Sequence, residues 1–221
     1  MQEEGERMRK QNLLALLLAG VMLLLCGCGS GMTTDEAKEY VQSALDSGYK
    51  AEFKKYAELT DTTEKEAKKE YKENLDSIMS EAGFDDTGVS DELKANYRSL
   101  FEKMLKTANY KVKSAKETDD DGFVVTVEVY PFTAFSSVSD ELDQWVTEAY
   151  ADAETVPTEE ELNEAIMQKM YEIMNTKLED PTYGEKQVKK VHVKADKDGA
   201  YYIPSEDLTA VDDALFPENQ L

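Results

Sequence analysis

The sequence predicts an α+β fold in which helices pack on a small antiparallel sheet built from two β-hairpins. Three observations carry this. Several stretches place apolar residues three and four apart behind Thr-x-x-Glu or Ser caps. Two regions switch to alternation, the pattern of a half-buried strand. Each of these regions brackets an acidic turn ending in glycine, Asp119-Asp120-Asp121-Gly122 in one and Asp196-Lys197-Asp198-Gly199 in the other.

The elements follow in order. Thr33 and Glu36 form a capping box before a helix whose apolar face is Ala37, Tyr40, Val41, Ala44 and Leu45, and Gly48 is expected to end it. Phe53, Tyr56 and Leu59 suggest a short helix or turn. Thr63 and Glu66 open a longer helix to about Ala82, with Ala67, Tyr71, Leu75 and Ile78 on one face and Gly83 as its stop. Ser90 caps a helix carrying Leu93, Tyr97, Leu100, Met104 and Leu105. Strands are expected at 110–117 and 123–130, closed by Pro131.

Ser139 is then expected to cap a helix with Leu142, Trp145, Val146, Ala149 and Tyr150. Past Pro157, a third capping box at Thr158 and Glu161 begins a helix with Leu162, Ala165, Ile166, Met170, Ile173 and Met174. The second hairpin pairs Lys190–Ala195 with Tyr201-Tyr202-Ile203, and Ser205 is expected to cap a last short helix. The segments 132–139 and 151–157 read as ordinary loops, and 33–221 reads as one domain.

The N-terminus reads differently. Residues 13–25 (LLALLLAGVMLLL) are uncharged but too short for a spanning helix, which needs about 20 residues. With Arg9 and Lys10 before them they form the apolar region of a signal peptide. The acidic start MQEEGER fits that role poorly, which leaves Met8 as an alternative translation start beside Met1. The run ends in Leu25-Cys26-Gly27-Cys28, which resembles the lipobox of bacterial lipoproteins. Diacylglycerol attaches to such a cysteine as a thioether, and two acyl chains make a stable anchor where one is marginal. The chain divides accordingly into a leader at 1–27, a lipidated Cys28 with a flexible tether at 28–32, and the body. Cys26 is the less suitable anchor, since bulky Leu25 precedes it.

The net charge is −22, and the leader, with three basic and three acidic residues, leaves it unchanged. Such a balance disfavours nucleic acid, whose binding depends on basic residues neutralising phosphates, and it repels anionic headgroups. Both cysteines lie in the N-terminal segment, so thiol catalysis and cysteine-based zinc sites are excluded from the body.

Few residues suggest chemistry. Glu117, Asp119, Asp121, Gly122 and Glu128 fall at positions 1, 3, 5, 6 and 12 of a calcium-loop template. Their flanks read as strands, which carry Glu117 and Glu128 away from the turn. His192 is the only histidine, so multi-histidine metal sites and Ser-His-Asp triads are excluded; with Lys190 and Lys194 it reads as part of a solvent-facing edge. Trp145, Tyr150, Tyr201, Tyr202 and Phe132 could line a groove, though such spacing suits a core. Met167, Met170 and Met174 read as gap-filling core. No phosphate loop, dinucleotide fingerprint, GxSxG, HExxH or SxxK motif is usefully present.

With the lipobox at Leu25–Cys28, the segment TTDEAKEYVQSALDSGYKAEFKKYAELT and the ending DGAYYIPSEDL, the chain resembles a group of uncharacterised small lipoproteins of Gram-positive gut bacteria. The resemblance implies location, the extracellular face of a membrane, and no mechanism. The expectation is therefore a non-enzymatic binding or accessory domain without a cofactor. Its partners would be membrane lipid through the anchor and another envelope protein or cell-wall ligand. The alternatives are a carboxylate-dependent cell-wall glycan hydrolase and a weak calcium-binding module.

Overall fold

The computed structural model describes residues 31–60, 62–85, 88–119, 121–151 and 157–217. Residues 1–30, which include the expected leader and the expected anchor Cys28 as well as Cys26, lie outside the described residues.

Seven α-helices and four strands are described: α1 (Thr34–Leu45), α2 (Lys54–Leu59), α3 (Glu64–Glu81), α4 (Asp91–Lys106), β1 (Asn109–Glu117), β2 (Phe123–Tyr130), α5 (Val138–Tyr150), α6 (Glu159–Lys177), β3 (Gln187–Ala195), β4 (Tyr201–Tyr202) and α7 (Ser205–Leu215). All three capping boxes close in both directions: Thr33, Thr63 and Thr158 accept from the backbone N–H of Glu36, Glu66 and Glu161, whose carboxylates reach back to the capping residue. Each such cap is worth about 1 kcal/mol.

The sheet is antiparallel in the order β1-β2-β3-β4, so the two hairpins join through β2 and β3. Alternation decides what its faces do. Val125, Val127 and Val129 of β2 and Val191 and Val193 of β3 are fully buried. Helices α1 and α7 pack over this row through Ala37, Val41, Ala44, Leu208 and Val211, also buried. Burying one such valine stabilises the fold by about 2 kcal/mol. The opposite row carries the polar residues. In β1 the register slips between Val112 and Ser114. This bulge changes the phase, so Ala115 rather than Ser114 falls opposite Val125 on the inner row.

The remaining helices extend the core away from the sheet. Helix α3 packs on α2 and α4, α6 on α4, and α5 on α6. Phe84, Tyr97, Phe101 and Tyr171 knit α3, α4 and α6 together, and the Tyr97 hydroxyl donates 2.7 Å to the Met167 carbonyl.

Several boundaries depart from the sequence reading. Helix α1 does not stop at Gly48. It widens into a π-helical turn, Asp46–Lys50, and ends with Ala51 in the left-handed region at φ 57°. Helix α5 begins one residue before Ser139, at Val138; Ser137 precedes it and bonds the Glu141 side chain instead of a backbone N–H. Ser205 is the first residue of α7 rather than its cap, because Pro204 ends the extended segment one residue earlier. Strand β3 starts at Gln187, since β2 pairs with it back to that point, and β4 has only two residues.

Candidate functional site

A polar network lies where α1 meets β1 and α7. The π-helical turn makes it possible, because the widened turn sends consecutive side chains in directions a regular helix would not. Asp46 Oδ1 accepts from the Tyr110 hydroxyl at 2.6 Å and from Gln42 Nε2 at 2.8 Å. Lys50 turns to the end of α4, where its ammonium donates to the carbonyls of Lys106, at 2.7 Å, and Ala108, and lies 5.5 Å from the centre of the Tyr110 ring. It thereby satisfies helix-end carbonyls and their partial negative charge. Tyr49 points into the core and donates 2.7 Å to Oδ1 of Asp212 on α7.

Two clefts meet at this point, of about 470 and 460 Å³. Gln42 and Asp46 line both. The first also has Asp35, Lys38, Glu39 and Lys55; the second has Lys50, Asn109, Tyr110 and Tyr183.

Burial sets the proton affinities here. It raises the Tyr110 phenol, and the bond to Asp46 raises it further. The Tyr49 phenol is raised well above its usual value by burial and then by Asp212. Burial lowers Lys50, with Asp46 and Glu52 opposing. Asp212 is fully buried, and desolvation pushes its carboxyl up to about 8, against the opposing pull of the Tyr49 hydrogen bond. It is therefore protonated at neutral pH. Its Oδ2 has no hydrogen-bond partner among the described residues.

This arrangement suits holding a polar group better than moving a proton. Each carboxylate lining the first cleft is engaged: Asp35 lies 3.9 Å from Lys38, Glu39 lies 3.1 Å from Lys55, and Asp46 takes two hydrogen bonds. Asp212 has the proton affinity of an acid catalyst but is sealed from both clefts by complete burial.

The residues singled out from sequence are scattered. Glu117 sits opposite Phe123 beside the turn, whereas Glu128 lies five positions along β2, about 17 Å away at strand rise. Glu128 is held by Lys186 at 3.0 Å and Lys113 at 3.6 Å, and the Lys186 bond is the main reason its carboxyl is lowered. The template positions Glu117, Asp119, Asp121 and Glu128 are thus not brought together, and among the described residues no group of three or more ligand-type side chains is positioned for a metal.

His192 shares the outer row with Lys190 and Lys194, as expected, but it is not simply solvated. Its Nδ1 and its backbone N–H both meet Oδ2 of Asp207 at 2.7 Å. Beyond the short β4, this carboxylate takes the place of a neighbouring strand.

The aromatics divide among different neighbourhoods. Phe132 is buried against Phe135, Tyr183 and Phe216; Tyr201 packs on Phe123; Trp145 meets Tyr150 on α5. Met174 is buried and Met167 and Met170 pack against the core, which fits their reading as fillers.

Asp46, Lys50, Tyr110 and Asp212 were not singled out by sequence reasoning. One signal was available: Asp212 lies within the apolar stripe of Leu208, Val211 and Leu215, where a carboxylate needs a partner.

No family profile and no curated protein matches the chain. Among solved structures, it resembles the crystal structure of ycdA from Bacillus subtilis strain 168, named as a candidate lipoprotein, with a TM-score of 0.53 and 17% identity. The match covers 82% of this chain and 57% of that one, so the chain spans little more than half the length of its structural neighbour. At this identity the likeness is one of fold.

Proposed function

We propose that this chain is a lipoprotein anchored to the extracellular face of a membrane through Cys28, and that its folded body is a binding or accessory domain rather than an enzyme. The observation that carries the reading is the order of features at the N-terminus: Arg9-Lys10, an uncharged apolar run, Leu25-Cys26-Gly27-Cys28, then Gly29-Ser30-Gly31. The fold shared with a protein named as a candidate lipoprotein supports it. So does the chemistry of the clefts at Asp46, where hydrogen-bonding groups are fixed by their neighbours and a polar ligand would meet a prepared surface.

Cell fractionation of a Cys28→Ala variant tests the anchor. The variant should fail to incorporate labelled palmitate and should accumulate with its leader uncut. A variant that is processed and acylated like the parent would rule out Cys28 as the anchor.

A further inference from the structure

The overall charge argues against contact with an anionic surface, but the fold does not distribute that charge evenly. The outer row of the sheet gathers Lys111, Lys113 and Lys116 from β1 and Lys190 and Lys194 from β3, against one carboxylate, Glu128. The β1 bulge contributes by keeping Lys113 on this side, where it meets Glu128. Lys111, Lys116 and Lys194 have no ion-pair partner among the described residues, and Lys190 reaches the Thr126 hydroxyl at 2.8 Å. Val188, 53% exposed, lies in the same row opposite Glu128. The helices that pack on the sheet, α1 and α7, cover the buried valine row, and among the described residues no helix packs on this face. Acidic residues border it: Asp207 at the β3 edge, and Asp119, Asp121, Asp196 and Asp198 in the turns.

The tether meets the sheet at its edge. The backbone N–H of Met32 donates 3.3 Å to the Tyr201 hydroxyl, and a Cβ on Gly31 would lie 3.6 Å from that oxygen. Cys28 is three residues earlier, within about 10 Å of extended chain. Tyr201 lies on the helix-covered row, packed against Phe123, so a lipid there would hold the β4 edge close to the headgroups, beside the strand that carries Lys190 and Lys194.

We infer that this lysine face is a docking surface for anionic phospholipid headgroups, which orients the body on the membrane that holds its anchor. The inference rests on the anchor proposed above. Charge complementarity selects the occupant: basic and carrying an exposed valine, the face suits a negatively charged interface. Each lysine near such an interface favours contact about fivefold, an effect that salt removes.

The test uses the full chain, purified with its lipid from membranes and reconstituted into vesicles of phosphatidylcholine, with or without phosphatidylglycerol. Acetylation rates of individual lysines are read by mass spectrometry after vesicle flotation. With phosphatidylglycerol, Lys111, Lys190 and Lys194 should label about fivefold more slowly, recovering in high salt, while Lys65 and Lys68 on α3 stay unchanged. A Lys190→Gln/Lys194→Gln variant should lose the protection of Lys111 while still floating.

Protein that floats but labels alike on both vesicles overturns the docking surface and leaves the anchor standing. Protein that fails to float overturns the anchor and this inference with it. Protection by dissolved polyphosphate but not by vesicles would overturn the membrane as occupant in favour of a soluble polyanion.

Discussion

The Tyr49 hydroxyl donates a 2.7 Å hydrogen bond to Oδ1 of Asp212 where neither side chain meets solvent. One comes from the π-helical turn after α1 and the other from α7, so the bond ties the two helices that cover the sheet. Its acceptor is a carboxyl that the fold keeps protonated.

That protonation makes stability depend on pH. Unfolded, Asp212 ionises near its ordinary 3.8; folded, it holds its proton to about 8. The folded state binds the extra proton between these values, so this contribution is complete below about pH 4 and is lost as pH rises towards 8. Asp212→Asn removes the titration while keeping an acceptor for Tyr49. The avoided cost near neutrality is up to roughly 4 kcal/mol, less a penalty of about 1–3 kcal/mol for a buried amide lacking partners. Urea unfolding at pH 4.5 and 8 should show the variant gaining on the parent by roughly 4 kcal/mol as pH rises, since the amide penalty is the same at both pH values and cancels. A constant difference would mean that Asp212 is not a buried acid.

Ala51 closes the π-helical turn in the left-handed region. A non-glycine residue there costs roughly 1–2 kcal/mol, while a glycine costs roughly 0.4–1 kcal/mol in unfolded-chain entropy. The first effect wins, so Ala51→Gly should stabilise by about 0.5–1 kcal/mol in equilibrium denaturation. Clear destabilisation would place the strain elsewhere.

Asp207 substitutes for a missing strand at His192. Asp207→Ala removes a charged acceptor from a partly exposed N–H, which water can partly replace, so the expected loss is about 1 kcal/mol. Hydrogen exchange localises it: the His192 amide should exchange faster while Val125 and Val127 in β2 keep their protection. An unchanged His192 amide would show that the carboxylate does not shield the edge.

The parts legible in the sequence were those that local chemistry decides. The capping boxes at Thr33, Thr63 and Thr158 announce helices because the threonine and the glutamate three residues later satisfy each other. The β2 valines announce a half-covered strand because side chains alternate across a sheet. The π-helical turn was not legible. Gly48 looks like a helix stop, and only the distant partners Tyr110, Asp212 and the Lys106 carbonyl, brought together by the fold, show why the helix widens instead. The role of Asp207 was hidden for the same reason: it depends on how soon Pro204 ends β4. The lysine face was half visible, since the alternation of Lys190, His192 and Lys194 was plain, but its match with Lys111 and Lys116 needed the β1–β2–β3 register.

The anchor remains the claim on which the functional reading turns, and the mass of the mature N-terminus addresses it most directly. Protein extracted from membranes with detergent should yield an N-terminal peptide that begins at Cys28 and carries diacylglycerol on its sulfur. A peptide that begins elsewhere, or an unmodified Cys28 in membrane-derived protein, would contradict the reading.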